Sequence, residues 1–101
     1  MPGKRFAAKR IERQLRSVVV ELAAARDRAA VAKEQYEAFR ADDEDARMRS
    51  LGSEAVEDRY VADQASRHAE VMRLEVERAE SHVAALERSR DELLQRYEPT
   101  S

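Results

Sequence analysis

A chain of 101 residues offers one domain's worth of structure and only a thin core unless another chain helps to cover it. Charged residues make up 40% of it and aromatics 5%, a balance shared by long solvated helices and disordered tails, so periodicity has to decide between them. A formal net charge of −2 argues against bulk attraction to polyanions; the absence of cysteine excludes disulfide staples, thiolate zinc sites and cysteine nucleophiles; and no apolar run approaches the roughly 20 residues of a membrane span.

The first twenty residues are Arg-rich and acid-poor, as transit peptides are, but no apolar segment or small-residue cleavage site follows. A helical stripe runs straight through them instead. Ala8, Ile11, Leu15, Val18, Leu22, Ala25, Ala29, Ala32, Tyr36 and Phe39 recur at alternating steps of three and four, the heptad pattern of a coiled-coil seam. The spacing predicts a first helix over about 4–49 and a turn over 50–53. Gly52 stands where a left-handed residue would end the helix, and Ser53 where a hydroxyl would cap the next one. In the second half Ala55, Ala62, Ala65, Ala69, Met72, Val76, Ala79, Val83, Leu86, Leu93 and Tyr97 repeat the stripe, with Asp58 and Arg90 as polar interruptions. A second helix is predicted over about 54–97, closed by Pro99. Proline otherwise occurs only at Pro2, and glycine only at Gly3 and Gly52. A competing reading ends the first helix near Phe39 and leaves 42–53 as a loop, because apolar residues thin out there.

Two stripes joined by one short turn predict an all-α fold, a single two-helix antiparallel coiled-coil hairpin. Facing residues of such a pair have numbers with a constant sum; 101 sets Leu15 against Leu86 and Val18 against Val83, and large side chains against small ones in Leu22 with Ala79, Ala25 with Val76, Ala29 with Met72, Tyr36 with Ala65 and Phe39 with Ala62. That register also sets Asp43 against Asp58 and Arg90 against Ile11. A lone pair of helices buries one stripe per helix, little against the ordering entropy of so many residues. An outer apolar strip of Val20, Ala23, Ala24, Ala30 and Val31, with Val71, Leu74 and Ala85, therefore suggests dimerisation into a four-helix bundle, although soluble helices also tolerate scattered alanine and valine.

Two charged regions carry the remaining functional signal. Lys4, Arg5, Lys9, Arg10, Arg13 and Arg16 against Glu12 give the first twenty residues a charge of +5. Lys9, Arg10, Arg13 and Arg16 are the candidate contacts to a phosphate backbone or other anionic surface. No aromatic side chain lies between them, and the competing expectation is a solvated face neutralised by Glu87, Asp91, Glu92 and Glu98. Around the turn, Asp42, Asp43, Glu44, Asp45, Glu54, Glu57 and Asp58 outnumber Arg47 and Arg49, a local charge of −5. Asp42, Asp43, Glu44, Asp45 and Asp58 are the candidate partner contacts; alternatively, an Asp43–Asp58 layer frays the hairpin against wrong pairing.

An acidic helical-hairpin tip resembles that of the bacterial transcription factors of the Gre and DksA type, whose coiled coil enters the RNA polymerase secondary channel. The resemblance is of shape and charge over 42–58 and includes no globular or zinc-binding domain. The length and central turn also resemble the small secreted WXG-type hairpins, but Leu51-Gly52 stands where their Trp-x-Gly would be, and 97–101 does not match their C-terminal signal.

His68 and His82 are fourteen residues apart, roughly 21 Å along a helix, too far to share a metal. No phosphate-binding loop, nucleophile elbow or His-Glu-x-x-His is present, and no serine has a paired base nearby in sequence. No catalytic, cofactor or metal site is expected. The expected protein is a non-enzymatic, cytoplasmic scaffold or adaptor, a coiled-coil interaction protein with a protein partner or a second copy of itself. A nucleic-acid-associated or transcription-modulating hairpin is the alternative. Neither membrane nor small-molecule substrate is implied.

Overall fold

The computed structural model describes residues 2–97, which form two long helices, α1 (Pro2–Leu51) and α2 (Val56–Arg96). They run antiparallel as a rod of 79 × 14 × 13 Å. Every seam residue predicted in α1 is buried or half-buried, as are those of α2 from Ala62 onward. This is the expected result of apolar side chains at 3.5-residue spacing closing on one another to leave water. Ala55 does not join them, being exposed and outside α2. The core is thin: Leu22, Ala25 and Leu86 cluster with Val83 against them, and among the described residues no large side chain is wholly buried.

The reading of 42–53 as a loop does not hold; the helix expected to about 49 runs to Leu51, and the turn falls at 52–55 rather than 50–53. α1 continues to Leu51, because Asp43, Ala46 and Ser50 extend the heptad spacing and Ala46 is buried. The seam there uses small and polar side chains, which apolar periodicity alone does not reveal.

The turn is built differently from expectation. Gly52 does not adopt a left-handed conformation; no described residue has positive φ. The last turn of α1 instead tightens, with the N–H of Gly52 donating to the Arg49 carbonyl and that of Ser53 to the Ser50 carbonyl. Ser53 does not cap α2. Its Oγ accepts from the N–H of Ala55 at 3.1 Å, and Ala55, which has no side-chain acceptor, is the residue that precedes the helix. Glu57 and Asp58 in the first turn complement the helix dipole there. At the other end the N–H of Tyr97 closes α2 onto the Leu94 carbonyl. Glu98 and Pro99 lie outside the described residues.

The register differs from the constant-sum prediction by one heptad. Leu22, predicted to face Ala79, clusters with Leu86, and Ala25, predicted to face Val76, is in the same cluster with Val83 against it. The hydroxyl of Tyr97 reaches Glu12, and Asp43 meets Ser66 rather than Asp58. A seven-residue slide keeps both stripes face to face, so the pattern alone cannot distinguish the two alignments. The observed one brings Leu15 level with Leu93 and Ile11 level with Tyr97, covering large side chains that the predicted one leaves near the open end. It also separates Asp43 from Asp58, which removes a like-charge layer.

Candidate functional site

The two flanks of the seam differ in chemistry. On one flank, each side chain follows a seam residue by one position: Glu12, Arg26 and Arg47 on α1, Ser66 and Glu87 on α2. Among the described residues, the hydrogen bonds and ion pairs between the helices all involve this flank. Arg26 approaches Glu87 at 3.7 Å, and the Tyr97 hydroxyl donates to Glu12 at 2.8 Å. The Glu12 carboxylate accepting that bond, helped by partial burial of the phenol, raises the Tyr97 pKa above its usual value.

The most ordered polar group on this flank centres on Asp43, whose side chain is only 14% exposed. Ser66 Oγ donates to Asp43 Oδ1 at 2.6 Å, Arg47 Nε donates to the same oxygen at 3.0 Å, and Arg47 Nη2 donates to Ser66 Oγ at 3.2 Å. A carboxylate at a seam position thus has its own donors from both helices. This corrects the expectation of an Asp43–Asp58 repulsive layer: Asp43 is a cross-helix contact that pins the register. Next to it, Arg73 clamps Glu70 and Glu77 at 2.7 and 2.6 Å and holds the Glu70 carboxyl below the ordinary range.

The opposite flank carries no hydrogen bond or ion pair between the helices among the described residues. Val31, Ala32 and Met72 line a shallow groove of about 380 Å³, with Arg28 and Glu75 at its edges and Asp27 and Gln35 in its lining as well. One turn further toward the tip, Phe39 meets the His68 ring edge-on at 5.7 Å. His68 is therefore engaged with an aromatic ring, and among the described residues no three His, Asp or Glu side chains are grouped to hold a metal ion.

The predicted outer strip does not form one surface. Val20, Ala24, Val31, Val71 and Leu74 are all exposed. By their helical spacing Ala24 and Val31 flank the groove, with Val71 beside Met72 across it, whereas Val20 and Leu74 lie opposite the seam on their own helices and so point away from each other.

The predicted acidic tip is also reapportioned. Asp42, Glu44 and Asp45 face solvent, with Glu44 3.7 Å from Arg40, while Asp58 is half-buried at a seam position. Asp42 to Asp45 lie roughly 10–15 Å along α1 from its end. The apex adds exposed apolar side chains to its acids: Leu51 is 84% exposed, and Met48, Val56 and Tyr60 are exposed around it alongside Glu54 and Glu57. Sequence reasoning passed over these four apolar residues because none belongs to the stripe.

At the open end Lys9, Arg10, Arg13 and Arg16 are exposed, and among the described residues none makes an ion pair. Over 87–97 the acids Glu87, Asp91 and Glu92 are matched in number by Arg88, Arg90 and Arg96, so α2 leaves the excess of α1 standing; Glu98 lies outside the described residues. Phe6, one turn before Lys9 and 68% exposed, lines a shallow groove with Lys9, Glu12, Arg13 and Arg16. Its place on the same helix face was legible in the spacing but overlooked, because it precedes the basic run.

No described helix is long and apolar enough to cross a membrane. No family model matches the chain, and comparison with curated proteins and with solved structures finds no match.

Proposed function

We propose that this chain is a non-enzymatic helical-hairpin interaction protein, a small scaffold or adaptor that packs the flank of Val31, Val71 and Met72 against the helices of a protein partner or a second copy. The observation that carries this reading is the asymmetry of the flanks. One carries all the hydrogen bonds and ion pairs between the helices among the described residues, while the other carries none of them and leaves Val31, Met72 and Val71 beside a groove. A thin core with Val31 53% and Val71 57% exposed is what a hairpin looks like when a further helical layer is needed to cover it.

The test compares capture by the wild-type chain and by Val31→Glu, a change at an exposed site that leaves the helical circular dichroism intact. A polypeptide held by wild type and lost by the variant supports the reading. Equal capture by both, or no capture by either, refutes it.

The second reading, contact with nucleic acid or another polyanion, rests on Lys9, Arg10, Arg13 and Arg16, which make no ion pair among the described residues, and on Phe6 near them. Phosphate contacts by these four predict binding that weakens steeply between about 50 and 200 mM salt. No mobility shift of DNA or RNA at low salt ends that reading.

A further inference from the structure

The face of α1 turned away from the seam is patterned from end to end. Of the five large apolar side chains more than two-thirds exposed among the described residues, four lie on it: Phe6 toward one end, Val20, and Met48 and Leu51 at the other. Its charges are segregated. The cations Lys9, Arg13 and Arg16 occupy one half of the face, and the acids Asp27, Glu34, Glu37 and Glu44 the other. A solvated helix gains from the opposite pattern, acids and bases interleaved at spacings of three and four, as α2 has with Arg73 between Glu70 and Glu77. Glu44 lies 3.7 Å from Arg40, and the other six charged side chains of the face make no ion pair among the described residues.

We infer that this face is covered by the same face of a second copy of the chain, laid antiparallel along it, so that the basic end of each α1 lies on the acidic end of the other. The face is opposite the seam and is not the flank of Val31, so the contact goes beyond the proposed function, does not rest on it and leaves that flank free. The alignment that sets Phe6 of one copy against Leu51 of the other brings Lys9 level with Met48, Arg13 with Glu44, and Arg16 between Glu37 and Glu44. A two-fold axis between positions 28 and 29 repeats each pair and closes the assembly. Ala23 and Ala30 lie near that axis, where small side chains let two helices approach. The neighbouring alignments with the same faces in contact are seven residues away and fit less well: one sets Phe6 against Glu44, the other Asp27 against Glu37. Parallel copies would set Arg13 against Arg13 and Glu37 against Glu37. From Phe6 to Leu51 is about 68 Å of helix about 10 Å wide, a footprint approaching the roughly 800 Å² per partner of a stable interface.

Sedimentation should show the mass doubling from 11.6 kDa as concentration rises; a monomer at about 100 µM overturns the second copy as occupant. The chain has no cysteine, so one spin label at Ser17→Cys, an exposed site on the groove side and off the proposed contact, reports the orientation. In the antiparallel dimer the two labels lie about 12 residues either side of the axis, an axial separation of about 35 Å. A dimer with labels closer than about 20 Å is parallel and overturns the orientation. Arg13→Glu sets like charges together at both symmetry-related contacts and should weaken self-association about tenfold, and Glu44→Arg added to it should restore the affinity. No loss in the single variant, or no restoration in the double, overturns the pairing. Val31→Glu should leave self-association unchanged; its loss in that variant would place the contact on the groove flank and overturn the face.

Discussion

The register is the feature most directly open to measurement, through a double-mutant cycle on Leu22 and Leu86. Leu22 is only 3% exposed and packs with Ala25, Leu86 and Val83. Truncating a buried leucine costs about 2–5 kcal/mol in a compact core. A rod one seam deep has few neighbours to lose and collapses readily around a deletion, which places each of Leu22→Ala and Leu86→Ala near the lower limit, about 2 kcal/mol. That corresponds to a fall in Tm of about 10 °C for a chain of this size. Because the two side chains touch, the double variant should lose less than the total of the singles, with a coupling of about 0.5–1.5 kcal/mol. Urea unfolding followed by circular dichroism at 222 nm, at one fixed protein concentration, gives all three values. Leu15→Ala with Leu86→Ala is the control and should be additive, since Leu15 is level with Leu93. Coupling between Leu15 and Leu86, and none between Leu22 and Leu86, would refute the register and reinstate the alignment one heptad away.

Three further outcomes follow from the geometry. Arg90 holds a seam position level with Val18 and reaches only its neighbour Asp91, at 3.2 Å, so Arg90→Leu should stabilise the hairpin by about 1 kcal/mol; a lower Tm would contradict its placement. Gly52 has negative φ, and a Cβ there would meet nothing nearer than the Arg49 carbonyl at 4.0 Å, so Gly52→Ala should add about 0.4–1 kcal/mol by restricting the unfolded chain, read from the urea midpoint. The Tyr97 pKa is raised by Glu12, so the bond's contribution is complete below the phenol's ordinary value of 10.0 and is lost as pH rises through the folded value. Tyr97→Phe should therefore flatten the alkaline fall in Tm, and difference absorbance at 295 nm between wild type and variant should place the Tyr97 titration above that ordinary value. Identical alkaline limbs would show that the Tyr97–Glu12 bond is not formed.

The two helices, their stripe and the position of the turn were legible because apolar spacing survives every detail of packing: Ile11, Leu22, Ala69, Leu86 and Leu93 are buried where the heptad places them. The register was not, because sliding one helix by seven residues returns the same face to the partner. What selects it is local and polar. The link from Gly52 to Ala55 sets the reach of the turn, and Asp43 is content at a seam position only beside Ser66 and Arg47. The heptad spacing puts Asp43, alone of the run of four acids, on the seam, but nothing in the sequence says that Ser66 and Arg47 would satisfy it there. The charged ends were visible as counts of residues; Phe6 was legible in the spacing but overlooked, and Met48, Leu51, Val56 and Tyr60 stood out as exposed only once the seam had been drawn through other residues.

The closed hairpin itself is tested by one intramolecular distance. Val19 and Leu94 are both exposed on the polar flank and, in the register set by Arg26 with Glu87, stand level across the seam. Spin labels at Val19→Cys and Leu94→Cys on the same chain, diluted into unlabelled protein, should lie within about 20 Å, twice the usual spacing of packed helices. A separation beyond about 60 Å, as in a continuous helix or a pair of chains that exchange their second helices, would contradict it.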